Sequence, residues 1–420
     1  MLQSGAAQSP SMAFRFPRTG LVSRNRTVLA AMTNRQSFPD GTLSKEEIDF
    51  LVRRAEGGFG IVTTACAHVT RDGQGFPGEL GVFEDKFIPN LRFLANELRR
   101  CGALSLAQIF HAGLQAPESL TGEQPKSPSG PLQVGEHLAS SKYNFSSREL
   151  SNQEVWNLVE AFAAATQRVY DAGFDGVELH GAHGYLINQF LGPETNFRTD
   201  EFGGTREKRF RFLIEIIHAI RQRSQHWTRP FLIGVRISPE RNCGVRLEDS
   251  LELARRLRDL EIDFLHVSCW DIRVESTLEE VSPQMNSSIS RKSRNNGRTM
   301  TLTEHFTRGI DNLPPVITTG RIWTRDDCLL AMQTQGADLV GSARASIGNP
   351  DWAQNIVEED AACLASKNAA GARAESAYKP LLPPYSEEHL KRQSLSDIFV
   401  YYMRRWRFVH REGKILPFRD

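Results

Sequence analysis

The stretch Gly176-Val-Glu-Leu-His-Gly-Ala-His-Gly-Tyr185 joins a short apolar segment to a cluster of polar rings. Its first five residues predict a buried strand, and two imidazoles and a phenol emerge together where that strand ends. Such groups donate hydrogen bonds to an oxygen and deliver protons. Because parallel barrels carry their active sites at the C-terminal ends of their strands, the stretch indicates both the fold and the position of a site.

Outward from this stretch, short apolar runs alternate with amphipathic segments along most of the chain. The alternation indicates repeated strand–helix units, and no Gly-x-Gly-x-x-Gly turn of an open dinucleotide-binding sheet follows the first strand. Eight units predict an α/β fold, a (β/α)8 TIM barrel with a long rim loop and a C-terminal tail. The predicted strands are Thr27–Met32, Gly60–Ala65, Ala103–Ile109, Gly176–His180, Phe231–Ile237, Asp263–Ser268, Pro315–Thr319 and Ala337–Gly341. The predicted helices are Ser44–Glu56, Lys86–Arg100, Asn152–Ala172, Arg206–Gln222, Leu247–Leu260, Thr301–Ile310, Arg325–Gln335 and Trp352–Val357.

The remaining sequence divides into an arm, two loops and a tail. We predict an N-terminal arm over 1–14, the barrel over 15–362, and a tail over 363–420 that packs on its own barrel or on a neighbouring subunit. Gln115–Leu150 is rich in Ser, Pro and Gly, which predicts a long loop over the rim. The polar run Val281–Arg298 predicts a second excursion or a disordered loop.

Composition limits the classes of function. The 51 basic and 50 acidic residues of this 420-residue chain give a net charge of +1, so no electrostatic argument favours nucleic acid or a membrane surface. Six widely spaced cysteines without a CxxC pair predict no disulfide framework and favour a cytoplasmic setting. The start lacks the apolar core of a secretory signal, and its Arg and Ser content leaves a transit peptide open. A homo-oligomer stays open too.

Arg236 is a charged residue inside an apolar strand pattern, and its neighbours Val235 and Ile237 would face the other side of the sheet. A buried arginine needs an anion or several acceptors. An internal ion pair with Glu178 or Glu240 would satisfy it, and so would a bound anion.

Gly320 and Arg344 fall in the last two loops, where barrel enzymes often bind a phosphate through backbone N–H groups and a helix N-terminus. Gly320 would let the backbone approach closely, and Arg344 would pair with the phosphate. A turn glycine and a surface arginine are the structural alternatives.

His180 and His183 are three residues apart with no cysteine near them, whereas helical metal-binding pairs are usually four apart. We therefore predict no metal site. A metal-dependent barrel hydrolase that uses both histidines stays an alternative, as do plain core histidines. Tyr185 alone would be a core or rim aromatic, and its two histidine neighbours favour a functional role.

Together these motifs resemble the Old Yellow Enzyme family, the flavin-dependent ene-reductases, over about residues 15–360. Arg35 and Phe110 stand where some members carry Tyr and Trp, so substrate preference is not implied. Ala343 replaces a usual glycine, which would alter the close backbone approach to the phosphate. The motifs in order are Asn25-Arg26 before Ala30-Ala-Met-Thr33, Gln108-Ile-Phe-His-Ala-Gly113, Ala172–Leu191, Asn196-Phe-Arg-Thr-Asp200, Val235-Arg-Ile-Ser238, Gly341-Ser-Ala-Arg344 and Asn349-Pro-Asp-Trp352.

The resemblance implies a non-covalent FMN cofactor with NAD(P)H as reductant. By position, Thr33 would bind the flavin O4 edge, Gln108 the pyrimidine edge, and Arg236 the region of N1 and O2. Gly320 and Arg344 would hold the phosphate. The full set of implied cofactor-binding residues is Ala31, Met32, Thr33, Gln108, Arg236, Gly320, Ala343 and Arg344.

The resemblance also implies an ene-reductase that acts on a small α,β-unsaturated carbonyl or nitro compound. His180 and His183 would bind the substrate's oxygen, and Tyr185 would donate the proton, so all three are implied as catalytic and substrate-binding residues. A flavin-dependent NADH oxidase, nitroester reductase or dehydrogenase on the same barrel is the alternative, and a non-catalytic binding barrel is a further one.

Overall fold

Eight parallel strands close into a barrel in the computed structural model. The structure describes residues 8–131, 146–239, 243–276, 299–370 and 378–400, with the exception of 381, 383, 384 and 394. Each strand pairs with the next, and the eighth pairs with the first. The predicted (β/α)8 barrel is therefore confirmed. The strands are β1 (Thr27–Leu29), β2 (Ile61–Thr63), β3 (Leu104–Phe110), β4 (Gly176–Gly181), β5 (Leu232–Ile237), β6 (Phe264–Ser268), β7 (Val316–Thr319) and β8 (Leu339–Ser342).

A helix follows every strand on the outside of the barrel. Most begin at a Ser or Thr whose side chain accepts a backbone N–H of the first turn, as at Ser44 and Ser151. None of the helices in the described ranges is long and apolar enough to cross a membrane. The helices are α1 (Lys45–Glu56), α2 (Ile88–Arg100), α3 (Asn152–Asp171), α4 (Arg206–Ser224), α5 (Leu247–Asp259), α6 (Leu302–Thr307), α7 (Arg325–Leu329) and α8 (Trp352–Ala370).

Several elements end away from their predicted limits. The first strand stops at Leu29, although Ala30 and Ala31 stay buried, because the chain leaves the sheet while still covered by the rim. Helix α8 ends at Ala370 rather than at the predicted Val357. The predicted rim loop contains a short helix, Glu118–Thr121. The predicted excursion Val281–Arg298 lies outside the described residues.

Inward-facing residues of the barrel form an apolar layer near the strand starts and a polar layer above it. Alternation along each strand puts both layers inside and leaves Val235 and Ile237 facing the helices, as predicted. The apolar layer contains Val28, Ile61, Leu106, Leu232, Phe264, Ile317 and Leu339. The polar layer contains the buried side chains of Gln108, Glu178, Arg236, His266 and Thr319.

An N-terminal hairpin closes the barrel below the apolar layer. Phe14–Arg15 pairs antiparallel with Val22–Ser23, and Phe14 and Phe16 join the apolar layer. Phe16 is fully buried and lies 6.3 Å from Phe264, ring centroid to ring centroid. The division into arm, barrel and tail stays a prediction, and residues 378–400 pack on the same chain's barrel.

Candidate active site

A cavity of about 380 Å³ opens at the C-terminal ends of the strands. Its walls come from β4 to β8, the loops that follow them, and Ala30 after β1. Its described lining residues are Ala30, His183, Arg236, Ser238, Ser268, Cys269, Trp270, Thr319, Gly320, Arg321, Ile322, Trp323, Gly341, Ser342, Ala343, Arg344 and Ala345. Three of these are arginines, and no acidic side chain is among the described lining residues. Such a cavity favours an anionic ligand.

Arg236 lies at the base of this cavity, where its guanidinium donates to Ala31 O at 3.2 Å and to Ser268 Oγ at 3.0 Å. Its buried Nε has no hydrogen-bond partner within the described structure. Burial lowers the pKa of Arg236, while Glu178 raises it. The guanidinium stays charged, and its Nε–H, which has no acceptor among the described residues, can donate to a ligand.

Below Arg236, the Glu178 carboxylate of β4 contacts one side chain from β3 and one from β6. Gln108 Nε2 donates to one oxygen at 2.7 Å, and His266 Nδ1 lies 2.5 Å from the other. Burial raises the pKa of Glu178, but the combined effect of His266, Arg236 and Gln108 is larger and lowers it. The pKa therefore lies below its usual value, and the carboxylate is ionised. Burial lowers the pKa of His266, and a neutral ring that donates from Nδ1 satisfies this contact. Glu240, the other predicted partner of Arg236, lies outside the described residues.

His180, His183 and Tyr185 form one aromatic cluster beside the cavity. The His180 ring centroid lies 5.0 Å from that of His183 and 4.9 Å from that of Tyr185. Burial lowers the pKa of His180 well below its usual value, helped by His183 and Arg236. The Ala182 N–H donates to His180 Nδ1 at 3.3 Å, so the neutral ring carries its proton on Nε2.

His183 owes its position to a left-handed turn. Its φ is +61° and that of Gly184 is +78°, which folds the chain back within two residues. A non-glycine residue in this region costs about 1 kcal/mol, and such strain is often found at functional sites. Here Ser238 Oγ accepts the His183 N–H at 3.3 Å, and Gln115 Nε2 donates to its carbonyl at 3.0 Å. His183 Nε2 lies 3.0 Å from Ser268 Oγ.

An apolar cluster packs against Tyr185. Tyr185 contacts Phe110 edge to face, with ring centroids 4.9 Å apart. Phe76 and Cys66 belong to the same cluster. Tyr185 therefore contacts both a polar ring, His180, and an apolar cluster.

The structure brings some of the implied residues into the cavity and leaves others beside it. Arg236, Gly320, Ala343 and Arg344 line the cavity together with His183. Ala31 contacts the cavity indirectly, because its carbonyl accepts a hydrogen bond from Arg236. Met32 packs against the outer core, Thr33 is half-buried, and Gln108 lies beneath in the polar layer.

Three features of this site were not predicted from the sequence. Arg321 lines the cavity at a φ of +53°, Ser342 Oγ is buried there without a hydrogen-bond partner in the described structure, and Trp270 lies under Arg344 with its ring centroid 5.2 Å from Cζ. Arg321 directly follows Gly320, so a positive residue beside a predicted phosphate glycine was the available signal. In the part of the chain that the structure describes, no group of three or more His, Cys, Asp or Glu is placed to hold a metal ion.

Comparisons with known proteins place the chain among flavin-dependent oxidoreductases of barrel fold. The sequence model of the NADH:flavin oxidoreductase / NADH oxidase family matches residues 20–361. The chain belongs to this family, whose cofactor is FMN and whose reductant is NADH or NADPH, so the predicted resemblance and cofactor are confirmed.

Individual relatives agree with this placement. The chain is 36% identical over 345 residues to a probable NADH-dependent flavin oxidoreductase, YqiG, of Bacillus subtilis, across 81% of this chain and 86% of that protein. It is 32% identical to an NADH oxidase of Thermoanaerobacter brockii, across 80% of this chain and about half, 49%, of that relative. An old yellow enzyme homologue from Zymomonas mobilis shares the fold, with a TM-score of 0.67 at 24% identity over 83% of this chain and 92% of that one.

Proposed function

We propose that this chain is an ene-reductase that uses NAD(P)H and FMN to reduce the activated C=C bond of α,β-unsaturated carbonyl or nitro compounds. One juxtaposition carries the proposal. A cavity lined by three arginines, suited to an anionic cofactor, adjoins a cluster of two histidines and a tyrosine suited to an oxygen-bearing substrate. When bound, FMN would supply the two-electron chemistry that links NAD(P)H to the substrate.

The cavity has the chemistry that FMN needs. Arg236 Nε and Ser342 Oγ are buried polar atoms without a hydrogen-bond partner in the described structure, and both residues line the cavity. Two lining glycines allow the wall to pack closely: a Cβ on Gly320 would lie 2.7 Å from Cys269 O, and one on Gly341 would lie 2.1 Å from Thr319 Cγ2. Arg236 would stabilise negative charge on the flavin ring system.

Two loops would bind the rest of the cofactor. Gly320 and Arg321 after β7, with Ala343 and Arg344 after β8, would hold the phosphate through backbone N–H groups and two guanidinium groups. On the opposite side, Ala31, Met32 and Thr33 would present backbone and hydroxyl groups to the flavin edge. Gln108 already donates its Nε2 to Glu178, so its Oε1 would accept from the flavin.

The aromatic cluster would handle the substrate. His180 would donate its Nε2–H to the carbonyl or nitro oxygen, and His183 would supply a second donor. Together they would stabilise the negative charge that develops on that oxygen when the β-carbon accepts hydride. Tyr185 would then deliver a proton to the α-carbon, which completes the reduction of the C=C bond.

Replacing Tyr185 with Phe tests this assignment. Alkene reduction should slow by a factor of about 10² to 10⁴, because proton delivery is lost, while reduction of bound flavin by NAD(P)H stays nearly unchanged. Anaerobic stopped-flow absorbance measures the two half-reactions separately with NADPH and cyclohexenone. An equal loss in both would remove Tyr185 from the proton-donor role.

The second candidate is an NADH oxidase, which the family description and the Thermoanaerobacter relative both name. The reduced enzyme would then react with oxygen much faster than with cyclohexenone. Mixing the same reduced enzyme with each acceptor decides between the two functions.

A further inference from the structure

The C-terminal segment packs against the turn that carries Arg344. This turn, Arg344–Gly348, follows β8 directly, and Arg344 lines the cavity. We call the described residues of 378–400 the clamp segment. Several of its side chains are buried, with Tyr385 7% exposed and Phe399 fully buried. The reaction steps above use none of them.

Two clamp residues contact both ends of the turn. The Tyr385 hydroxyl donates to Arg344 O at 3.4 Å, and its ring lies flat enough on Gly348 that a Cβ there would sit 2.3 Å from Tyr385 Cε1. His389 Nε2 lies 2.5 Å from Gly348 O. The two rings stack on each other, with centroids 5.7 Å apart. Just beyond the turn, Asn349 Nδ2 donates to the Tyr378 hydroxyl at 2.8 Å.

The clamp segment also contacts the turn indirectly, through side chains of α1. The Arg54 guanidinium of that helix donates to Ser346 O at 3.1 Å and lies 3.8 Å from the Phe50 ring centroid. Phe399 also packs edge to face on Phe50, with centroids 5.3 Å apart. Carbonyls of the turn are thus bound by donors from two outside elements.

A turn of five residues does not hold its own geometry, because one helical turn forms too few hydrogen bonds to offset its ordering entropy. We propose that the clamp segment fixes the Arg344–Gly348 turn in position to bind the phosphate of FMN, with Tyr385 and His389 as positioning residues. The proposal rests on the proposed function, which places that phosphate at Arg344. FMN differs from riboflavin by its phosphate, so loss of the clamp should weaken FMN and spare riboflavin.

Titration of the full-length, flavin-free chain with FMN and with riboflavin tests this, with quenching of flavin fluorescence as the readout. Tyr385→Ala and His389→Ala should each raise the Kd for FMN about tenfold and leave that for riboflavin within about twofold. His389→Gln, whose amide can donate to the same carbonyl, should restore most of the affinity. Ile398→Ala is the matched control, because this side chain is 60% exposed on the same segment.

A double-mutant cycle tests the contact from the barrel side. Gly348→Ala alone should weaken FMN, since the new methyl group would meet the Tyr385 ring, and should add little in a Tyr385→Ala background. An unchanged Kd for FMN in Tyr385→Ala, or equal weakening of both flavins, would overturn the clamp. A wild-type chain that binds neither flavin would instead overturn the proposed function, and the clamp with it.

Discussion

His180 is the residue whose surroundings most constrain its chemistry. Burial, with help from His183 and Arg236, lowers its pKa well below the usual value, so the folded protein holds it neutral. In the unfolded chain a histidine takes up a proton below about pH 6.5. A neutral ring that donates from Nε2 is therefore available throughout the physiological range.

This difference makes stability depend on pH. Because the unfolded state binds the extra proton, His180 lowers the free energy of unfolding as the pH falls below about 6.5. His180→Gln removes that dependence, so the stability of wild type relative to the variant should fall by about 1 kcal/mol from pH 7 to pH 5.5. Urea unfolding at the two pH values measures it. The exposed His226→Gln is the control, and a pH-independent difference for His180→Gln would contradict the neutral state.

Sequence reasoning singles out a residue most readily where one strand explains it, and the roles of such residues stay predictions. His180 stands out at the end of an apolar strand, Arg236 inside one, and Arg344 just after one. The contacts of Glu178 were different, since its partners Gln108 and His266 come from other strands and their pairing depends on barrel register. No local pattern encodes that register.

At the scale of elements, the clearest local signal is the start of α3. Ser151 Oγ accepts the Glu154 N–H at 3.3 Å, and the Glu154 carboxylate accepts the Ser151 N–H at 2.9 Å. Arg148 also pairs with Glu154; its contact, together with those of Ser151, outweighs burial and lowers the pKa of Glu154 to about 2. This reciprocal cap explains why the helix begins where the sequence predicts.

Ser151→Ala should therefore lower the free energy of unfolding by about 1 kcal/mol, because one N–H of the first turn loses its acceptor. Urea unfolding near pH 7 measures the loss. Gln153→Ala, an exposed change in the same turn, should stay within about 0.5 kcal/mol. Equal effects of the two substitutions would show that the cap does not stabilise the helix.

Elements without a cap or period were harder to predict. The turn Arg344–Gly348 and the helix Leu186–Leu191 are too short to show periodicity. The packing of residues 378–400 on the barrel depends on a few side chains, such as Tyr385 and Phe399, that meet distant partners. Such contacts leave no local trace in the sequence.

At the scale of the whole molecule, one end of the barrel is closed by packed apolar side chains and the other end holds the candidate active site. The apolar layer and the N-terminal hairpin close the end where the strands begin, whereas the cavity and the aromatic cluster lie where they finish. Barrels of this fold commonly divide their two faces in this way. The polar layer with Glu178 and His266 lies between the two ends and is buried.

Phe16 tests that separation. It is fully buried and contacts Phe14 edge to face at 5.1 Å. Phe16→Ala should lower the free energy of unfolding by about 3 to 5 kcal/mol through loss of contacts and the cavity it leaves, and Phe16→Leu by less than about 1.5 kcal/mol.

In both variants the Kd for FMN at 20 °C should stay within about twofold of wild type, because the folded molecules keep the same rim. Tyr185→Phe should show the reverse pattern, with alkene reduction slowed and unfolding nearly unchanged. If the mild Phe16→Leu variant lost FMN affinity in step with its stability, the two ends of the barrel would be coupled rather than separate.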